Sequence, residues 1–574
     1  MKLRGLFILR DTRVLVLNLI FALMLFSAMF LTYRGFVESE IISKWYAFIS
    51  GTILFGIVTL ILCKNAKITI DLLTISIYIF IAYLFARTAF CELPQPNIFI
   101  LSLAAFLFVY LFFKLMPNRY RHSLDIIVIG VCLIQAVYGF MQYAGTATVN
   151  RGFDIVGSFD NPAGFAASLS AGLPFCFSVM HKGKRQHYFG ISSLVVIVSA
   201  IILSGSRAGI LAAAIVLVIY LGNRYYDILK KKHSYIYPFI GIVFILFFVG
   251  LFFLKKNSAI GRLLIWENSC RMIADKPLFG FGPSGFMSKY MIYQGDYFAE
   301  NPDSSYTLLA DNVTHPFNEY LLLIVEYGFV GLLLLLVMIA IVIKSSKRIT
   351  PSLLCLLSVG IFSSFSYPLR YPFVLILLAY GLSDIFSKQL YVPRINTLSK
   401  IVWNILLGTV CIFTVCDIRF ENQWGQLAQR CFFEKNGKLL DNYAGLYAQW
   451  NGDPMFLYNY AAVLNHAGDY SGSNDIMFQC IDHFNDYDVQ QIIADNYDNM
   501  NDWDKAEVYY INAHQMIPNR FIPLYRLFKL YEKCGRINEA IRIAETIIDM
   551  PVKIQSGAVR KIKSAAKSFI ANIE

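Results

Sequence analysis

Residues 315–343 read HPFNEYLLLIVEYGFVGLLLLLVMIAIVI. From residue 317 onward the stretch is almost wholly apolar. At about 1.5 Å per residue it is long enough to cross a hydrocarbon core of about 30 Å as a helix. Apolar runs of similar length recur throughout the chain before residue 420. The sequence therefore predicts an all-α fold, a polytopic membrane helix bundle.

The composition agrees with a membrane protein. Hydrophobic residues make up 57% of the chain and charged residues 15%, whereas soluble globular proteins carry about 25% charged residues. The net charge of +12 is explained by Lys and Arg in cytoplasmic loops, so no nucleic-acid partner is predicted. The eleven cysteines show no paired spacing, which predicts neither a disulfide framework nor a zinc site.

Thirteen membrane spans are predicted. The first lacks a small-residue cleavage site and is interpreted as an anchor rather than a removed signal. The spans lie near residues 14–32, 45–63, 68–86, 97–115, 124–143, 163–180, 188–204, 208–222, 235–254, 317–343, 351–367, 372–387 and 400–418.

The charges of the connections predict the orientation of these spans. Lys and Arg collect in one alternating set of connections, which is expected to be cytoplasmic. The other set holds only Arg34, Lys44, Arg87, Arg151, Arg207 and Arg370 among its short connections. The N-terminus is thus predicted to be cytoplasmic. A large loop at 255–315 and the region after the last span are predicted to lie on the outer, periplasmic face.

After residue 420 the composition turns polar, and three segments align at a period of 33–34 residues. Tyr470, Trp503 and Ile537 share one position of the period, and Ser473, Ala506 and Ala540 share another. This pattern resembles tetratricopeptide repeats, which are helix–turn–helix units with a small residue where the helices cross. We therefore expect a transmembrane domain at 1–420 and an extracytoplasmic helical-repeat domain at 421–574. Such repeats either bind an envelope protein or cap the membrane domain.

Two short polar turns fall on the predicted outer face. In the first, Gly157–Pro162, Asn161 and Pro162 suit the cap and first turn of a helix. In the second, Ser204-Gly205-Ser206-Arg207 joins two spans, so Arg207 is held close to the bilayer. Its guanidinium either reaches lipid phosphate or faces a ligand diphosphate.

The outer loop contains a predicted amphipathic helix at 261–275, ended by Pro277 and the Gly-rich turn 278–283. Arg262 and Arg271 are nine residues apart and therefore point to opposite sides of this helix. Arg271 is expected to pair with Asp275, four residues on. Arg262 is accordingly the better candidate to bind a ligand.

His315 ends the outer loop. Pro316 biases His315 away from helical geometry and itself suits the first turn of the next span. Asn318 and Glu319 follow within one turn, and the free amides at that helix end favour an anion. A neutral imidazole in this place can accept a proton from a hydroxyl group. A role as a helix cap or an interfacial residue is the alternative.

These motifs, in this order, resemble the superfamily of O-antigen ligases and polymerases, which includes bacterial O-oligosaccharyltransferases. The resemblance rests on Ser204–Arg207, Arg262–Trp266, Pro277–Pro283, His315–Leu321 and Glu326-Tyr327-Gly328. It implies a glycosyltransferase of the bacterial inner membrane that uses an undecaprenyl-diphosphate-linked glycan. By this resemblance Arg207 and Arg262 hold the diphosphate and His315 activates the acceptor hydroxyl. The candidate supporting residues are Asn161, Arg271, Asn318 and Glu319. Neither a metal nor another cofactor is implied.

The resemblance leaves the acceptor open between lipid A–core, a protein and another glycan. An outward-facing repeat region modestly favours a protein. A polysaccharide transporter or flippase is the competing class, but transporters carry charges inside their spans. Here the polar residues gather at one face instead. A scaffold that only anchors the repeats would not need thirteen spans.

Overall fold

The computed structural model describes residues 12–62, 67–89, 97–117, 120–149, 152–224, 250, 256–394, 396–431, 437–450 and 452–573. Up to residue 431 the described helices are α1 (Thr12–Phe30), α2 (Ser39–Leu62), α3 (Leu72–Ala89), α4 (Asn97–Leu115), α5 (Arg121–Tyr143), α6 (Pro162–Gly172), α7 (Phe175–Val179), α8 (Lys184–Leu203), α9 (Arg207–Arg224), α10 (Lys256–Asp275), α11 (Gly285–Glu300), α12 (Glu319–Ser345), α13 (Pro351–Ser363), α14 (Pro372–Ser383) and α15 (Thr397–Cys431).

Ten candidate membrane spans are found within the described residues, α6 and α7 together counting as one of them. Helices α13 and α14 are apolar but shorter. The predicted polytopic helical membrane fold is therefore confirmed. The predicted span at 235–254 lies outside the described residues, apart from Gly250.

Two predicted span ends were wrong. The expected spans at 351–367 and 372–387 end as helices at Ser363 and Ser383. Residues 364–371 form a turn with a short 3-10 helix, Pro368–Arg370, instead of membrane helix. The expected domain boundary at residue 420 falls inside α15, which continues as one helix to Cys431. Because the backbone hydrogen bonds of a helix are internal, α15 continues from apolar into polar sequence without a break. The change in composition near residue 420 therefore does not mark the end of the helix.

The ends of the helices fall on two faces of the bundle. At one face, β1 (Ile70–Asp71) pairs antiparallel with β2 (Gln389–Tyr391), and Lys114 forms a buried ion pair of 2.7 Å with Asp71. Arg121 pairs with Asp384 at 3.2 Å on the same side. These connections belong to the basic set of the sequence, and three connections of that set therefore lie together at one end of the bundle.

At the opposite face, α10, α11 and the short 3-10 helix Thr307–Leu309 form an outer segment, residues 256–317. The last three turns of α15 lie beside the loop after α1, where the Tyr33 hydroxyl donates to Asn422 at 3.0 Å. The chain that follows α15 therefore starts from this same face.

Residues 437–573 form the C-terminal helical region. Its helices are α16 (Gly437–Tyr447), α17 (Pro454–Ala467), α18 (Tyr470–Cys480), α19 (Tyr487–Asn499), α20 (Trp503–Met516), α21 (Phe521–Lys533), α22 (Ile537–Asp549) and α23 (Gly557–Ala571). Ser473, Ala506 and Ala540 are fully buried in it. Small side chains at these places let neighbouring helices approach closely.

The C-terminal helical region rests on the outer segment, where α20 packs against α11. The Gln294 amide donates to the Met516 carbonyl at 2.7 Å, and the Asn519 amide donates to the Ala310 carbonyl at 2.8 Å. The Asn312 amide donates to the Asp486 carboxylate at 2.6 Å. Beside these hydrogen bonds, Tyr487, Met516 and Ile517 belong to one buried apolar cluster with Phe286, Tyr290 and Met291 of α11. The outer segment is thus held between the membrane helices and the C-terminal helical region.

Candidate active site

The outer segment is joined to span α12 at a break in that helix. Gly328 has φ 67° and ψ −172°, a conformation that only glycine adopts readily. A Cβ atom there would lie 2.1 Å from the Leu278 carbonyl oxygen. Four backbone hydrogen bonds cross the break: Phe281 to Val325 (2.8 Å), Gly282 to Glu326 (2.9 Å), Phe329 to Pro277 (2.8 Å) and Val330 to Leu278 (3.3 Å).

The Gly-rich turn 277–283 therefore satisfies the amides and carbonyls that the broken helix leaves open. Because unpaired backbone groups are costly in lipid, this pairing fixes the turn against the span. Gly280 makes the same close approach, since a Cβ there would lie 2.5 Å from the backbone of Glu326. The turn binds protein backbone, and it positions α10 above the start of α12.

Helix α12 starts later than predicted. Phe317 adopts a left-handed φ of 53°, and the helix begins at Glu319 rather than at Pro316. Asn318 is the N-cap, and its side chain accepts from the amides of Tyr320 and Leu321 at 3.0 and 3.1 Å. The predicted free amides at this helix end are therefore occupied, because an Asn cap satisfies them directly.

His315 is mostly buried, with 13% of its side chain exposed. Its Nδ1 accepts a hydrogen bond from the Phe317 amide at 3.0 Å, so the neutral ring carries its proton on Nε2. Nε2 lies 3.8 Å from the Glu319 carboxylate, which also accepts from the Leu369 amide. Nε2 of the imidazole thus faces a carboxylate, and the lone pair of Nδ1 accepts a hydrogen bond from a backbone amide.

Arg262 and Trp266 stand one turn apart on α10 and hold it against this segment. The Trp266 indole donates to the Pro316 carbonyl at 3.0 Å, and Arg262 Nη1 donates to the Phe365 carbonyl at 2.8 Å. The Arg262 guanidinium also lies over the Phe317 ring, 5.1 Å from its centre. This geometry places Arg262 one aromatic ring away from His315.

Arg207 approaches Arg262 from the start of α9. Its guanidinium donates to the Ser258 hydroxyl at 3.2 Å, one turn before Arg262 on α10. Burial, and then the charge of Arg207, lower the pKa of Arg262 to about 10. At neutral pH both groups remain cationic. Two partly desolvated positive charges that repel each other form a strong site for an anion.

Asn161 belongs to the same cluster and has two roles. As predicted, it caps a helix, and its side-chain oxygen accepts from the amides of Ala163 and Gly164. Its amide nitrogen donates to the Tyr367 hydroxyl at 3.1 Å, while the Tyr371 hydroxyl donates to Asn161 at 3.1 Å. The cap thereby fixes the turn that follows α13.

Sequence reasoning missed Tyr367. Its ring lies 4.9 Å from the His315 ring and 5.5 Å from the Phe317 ring, centre to centre. Burial and the nearby Asp160 raise the pKa of Tyr367, so its hydroxyl keeps its proton. Tyr367 was assigned to the end of a span, and its tyrosine-rich surroundings at 367–371 offered only a weak signal of a site.

Arg271 lies apart from these residues. It pairs with Glu300 of α11 at 2.8 Å, and not with Asp275 as predicted. Asp275 instead accepts a hydrogen bond from Tyr293. The spacing of four residues on one helix favoured Asp275, but the neighbouring helix offers a better-placed carboxylate. The structure therefore gathers His315, Glu319, Arg262, Arg207 and Asn161 at one face and leaves Arg271 on the outer surface of α10.

A family model described as O-antigen ligase matches residues 192–336 of this chain. The matched region runs from α8 to the middle of α12. It includes Arg207, Arg262, His315 and Glu319, whereas Asn161 and Tyr367 lie outside it. No curated protein shows a significant match to the chain.

Proposed function

Because residues 192–336 place this chain in the O-antigen ligase superfamily, we propose that it transfers a glycan from an undecaprenyl-diphosphate carrier to an acceptor hydroxyl. The observation that supports this most strongly is the arrangement around Phe317. A carboxylate-paired imidazole and a partly buried guanidinium both lie against this ring, the His315 ring 6.4 Å and the Arg262 guanidinium 5.1 Å from its centre. A base and an anion-binding group at this separation suit the two ends of a displacement reaction.

The diphosphate is held by Arg262 and Arg207. Planar guanidinium groups bind phosphate oxygens with two parallel hydrogen bonds, and the low polarity of the site strengthens them. When the bond between the sugar C1 atom and the phosphate oxygen breaks, its electron pair stays on the diphosphate. Positive groups already in place stabilise that developing charge without reorganising.

The acceptor hydroxyl is activated by His315. Its oxygen forms the new bond to C1, and its proton passes to Nδ1 of His315 once the hydroxyl replaces the Phe317 amide there. Glu319 faces the Nε2 proton, so it orients the ring and stabilises the imidazolium that forms. General-base catalysis of this kind contributes roughly 10²–10⁴ in rate.

We further propose that the site faces the periplasm and that the enzyme lies in the bacterial inner membrane. The distribution of Lys and Arg puts the N-terminus in the cytoplasm. The C-terminal helical region shares the face of the site, and its repeat pattern resembles that of tetratricopeptide units, which commonly dock proteins. This favours a protein Ser or Thr as acceptor over lipid A–core. A glycan acceptor, as in a polymerase, is the remaining alternative.

The test uses the purified, lipid-reconstituted enzyme and a lipid-linked oligosaccharide donor. His315→Ala should abolish transfer while the protein remains folded and inserted, and His466→Ala, an exposed residue of α17, should transfer normally. Full activity of His315→Ala would remove the imidazole from the mechanism. Deletion of the gene in its host then identifies the acceptor. Loss of the lipopolysaccharide ladder indicates a ligase, and loss of glycoproteins an oligosaccharyltransferase.

A further inference from the structure

A cavity of about 310 Å³ lies between α10 and the stretch 307–313 of the outer segment. This volume is at the small end of ligand-binding pockets, which measure about 300–1,000 Å³. It is lined by Asn257, Ser258, Gly261, Arg262, Leu264, Ile265, Gln294, Leu309, Ala310, Asp311, Asn312, Val313 and Phe317.

The cavity starts at the proposed anion-binding group, because Arg262 forms part of its wall. Ser258, which accepts a hydrogen bond from Arg207, is another part. His315 does not line the cavity, and Phe317 stands between the two. An acceptor hydroxyl must reach His315, so the occupant of the cavity is a group attached to the anion rather than the acceptor.

The wall is mixed in character. Asn257, Ser258, Asp311 and Asn312 offer hydrogen-bonding groups, and Leu264, Ile265, Leu309 and Val313 offer apolar surface. A sugar ring presents hydroxyl groups at its edges and C–H groups on its faces, and therefore matches both. A polyprenyl chain presents only C–H groups and therefore matches only the apolar part of the wall.

The outer wall of the cavity is fixed in advance by the C-terminal helical region. Gln294 bridges the Asp311 and Met516 carbonyls, Asn519 binds the Ala310 carbonyl, and Arg520 pairs with the Asp311 carboxylate at 3.0 Å. A wall held in one conformation binds a rigid ring without an ordering cost.

We propose that this cavity binds the sugar residue that is bonded directly to the carrier diphosphate. The proposal rests on the proposed function and adds where the first sugar is recognised and that the C-terminal helical region fixes that subsite. The small volume limits recognition to the residue nearest the diphosphate.

Gly261 allows a matched test. Gly261 and Leu309 both line the cavity, and a Cβ atom at Gly261 would lie 4.0 Å from the Leu309 Cβ atom, so Gly261→Ala fits, whereas the larger side chain of Gly261→Phe extends into the cavity. Transfer from a lipid-linked oligosaccharide and binding of sugar-free undecaprenyl diphosphate are measured for both. Gly261→Phe should lower transfer at least tenfold against Gly261→Ala and bind undecaprenyl diphosphate within about twofold. Transfer equal to that of Gly261→Ala overturns the proposal.

A second variant fills the cavity from the opposite wall and does not adjoin Arg262. If Gly261→Phe also loses undecaprenyl diphosphate, Leu309→Trp decides, with Leu308→Trp, at an exposed neighbour outside the lining, as its control. Selective loss of transfer in Leu309→Trp supports the sugar subsite, and transfer equal to that of Leu308→Trp overturns it. Failure of the proposed function itself is distinct, because the unaltered enzyme would then transfer no glycan.

Discussion

The Trp266 indole donates a hydrogen bond to the carbonyl of Pro316, next to His315, across 3.0 Å. Through this contact α10 fixes the backbone that carries the imidazole, while Arg262, one turn earlier, lies over the Phe317 ring. A single helix therefore sets the distance between the proposed base and the proposed diphosphate site.

Trp266→Phe keeps the aromatic bulk and removes only the donor. The Pro316 carbonyl then loses its partner, which weakens the position of His315 by about 1 kcal/mol. We expect kcat to fall about fivefold, while KM for the lipid-linked donor stays within a factor of two, because the arginines are untouched. Steady-state kinetics of the reconstituted enzyme measure both.

Trp503→Phe, at a half-exposed position in the C-terminal helical region, is the control and should have normal kinetics. An unchanged kcat in Trp266→Phe would show that this hydrogen bond does not position His315. Phe317 and Tyr367 would then position the imidazole without it.

Arg262→Lys keeps a positive charge but loses the planar fork. The Phe365 carbonyl and the Phe317 ring would no longer hold the cation, and bidentate binding of phosphate is not available to an ammonium group. Removing a charge-stabilising donor of this kind costs about 10²–10³ in kcat. We expect a loss of that size together with weaker binding of undecaprenyl diphosphate.

Arg271→Lys on the same helix is the matched control. Its guanidinium is exposed and pairs with Glu300, so activity should stay within a factor of two. If the two Lys variants behave alike, the loss reflects the helix as a whole, and Arg262 does not bind the diphosphate.

Gly328→Ala is expected to break the junction between α12 and the Gly-rich turn. The new Cβ atom would meet the Leu278 carbonyl oxygen at 2.1 Å, and φ 67° with ψ −172° is strained for any L side chain. Relief requires the turn to move away, and with it α10. We predict loss of transfer and a lower thermal unfolding temperature in detergent.

Gly130→Ala in span α5 is the control, since nothing lies within 4 Å of a Cβ atom there and alanine is the better helix former. Wild-type stability and transfer in Gly328→Ala would contradict the view that the turn must lie against this break.

Most of the membrane architecture was accessible from the sequence, because a segment of about 20 apolar residues has few alternatives to a membrane helix. The motifs at Arg207, Arg262 and His315 were also visible as charged or titratable residues at the ends of apolar runs. Local rules failed where tertiary contacts compete with them. The helix was expected to start at Pro316, but Asn318 caps it, and Arg271 was expected to pair with Asp275, but it pairs with Glu300.

Tyr367 and the cavity beside Gly261 were not predicted for the same reason. Each depends on chain segments that are far apart in sequence, such as 161 with 367 and 261 with 309. The composition and residue spacing of a single sequence do not reveal such contacts. The residues that shape a site are therefore harder to predict than those that carry its charge.

His514 of α20 gives a prediction for pH. Burial lowers the pKa of His514 to about 4, and its Nδ1 atom has no hydrogen-bond partner. The unfolded chain, with a pKa near 6.5, binds the proton more readily, so stability is present above about pH 6.5 and is lost as the pH falls toward 4. A difference of this size corresponds to about 3 kcal/mol. Hydrogen exchange of the α20 amides between pH 7.5 and pH 4 measures it.

Buried carboxyls act in the opposite direction, since burial raises the pKa of Asp486 to about 6 and so favours the folded state as the pH falls through that value. The informative quantity is therefore the difference between variants. His514→Leu removes the titrating group, so its opening free energy should fall about 3 kcal/mol less than that of the unaltered protein over this range. His466→Leu, at an exposed position of α17, should follow the unaltered protein. Parallel pH profiles for all three would show that His514 is protonated as easily in the folded chain as in the unfolded one.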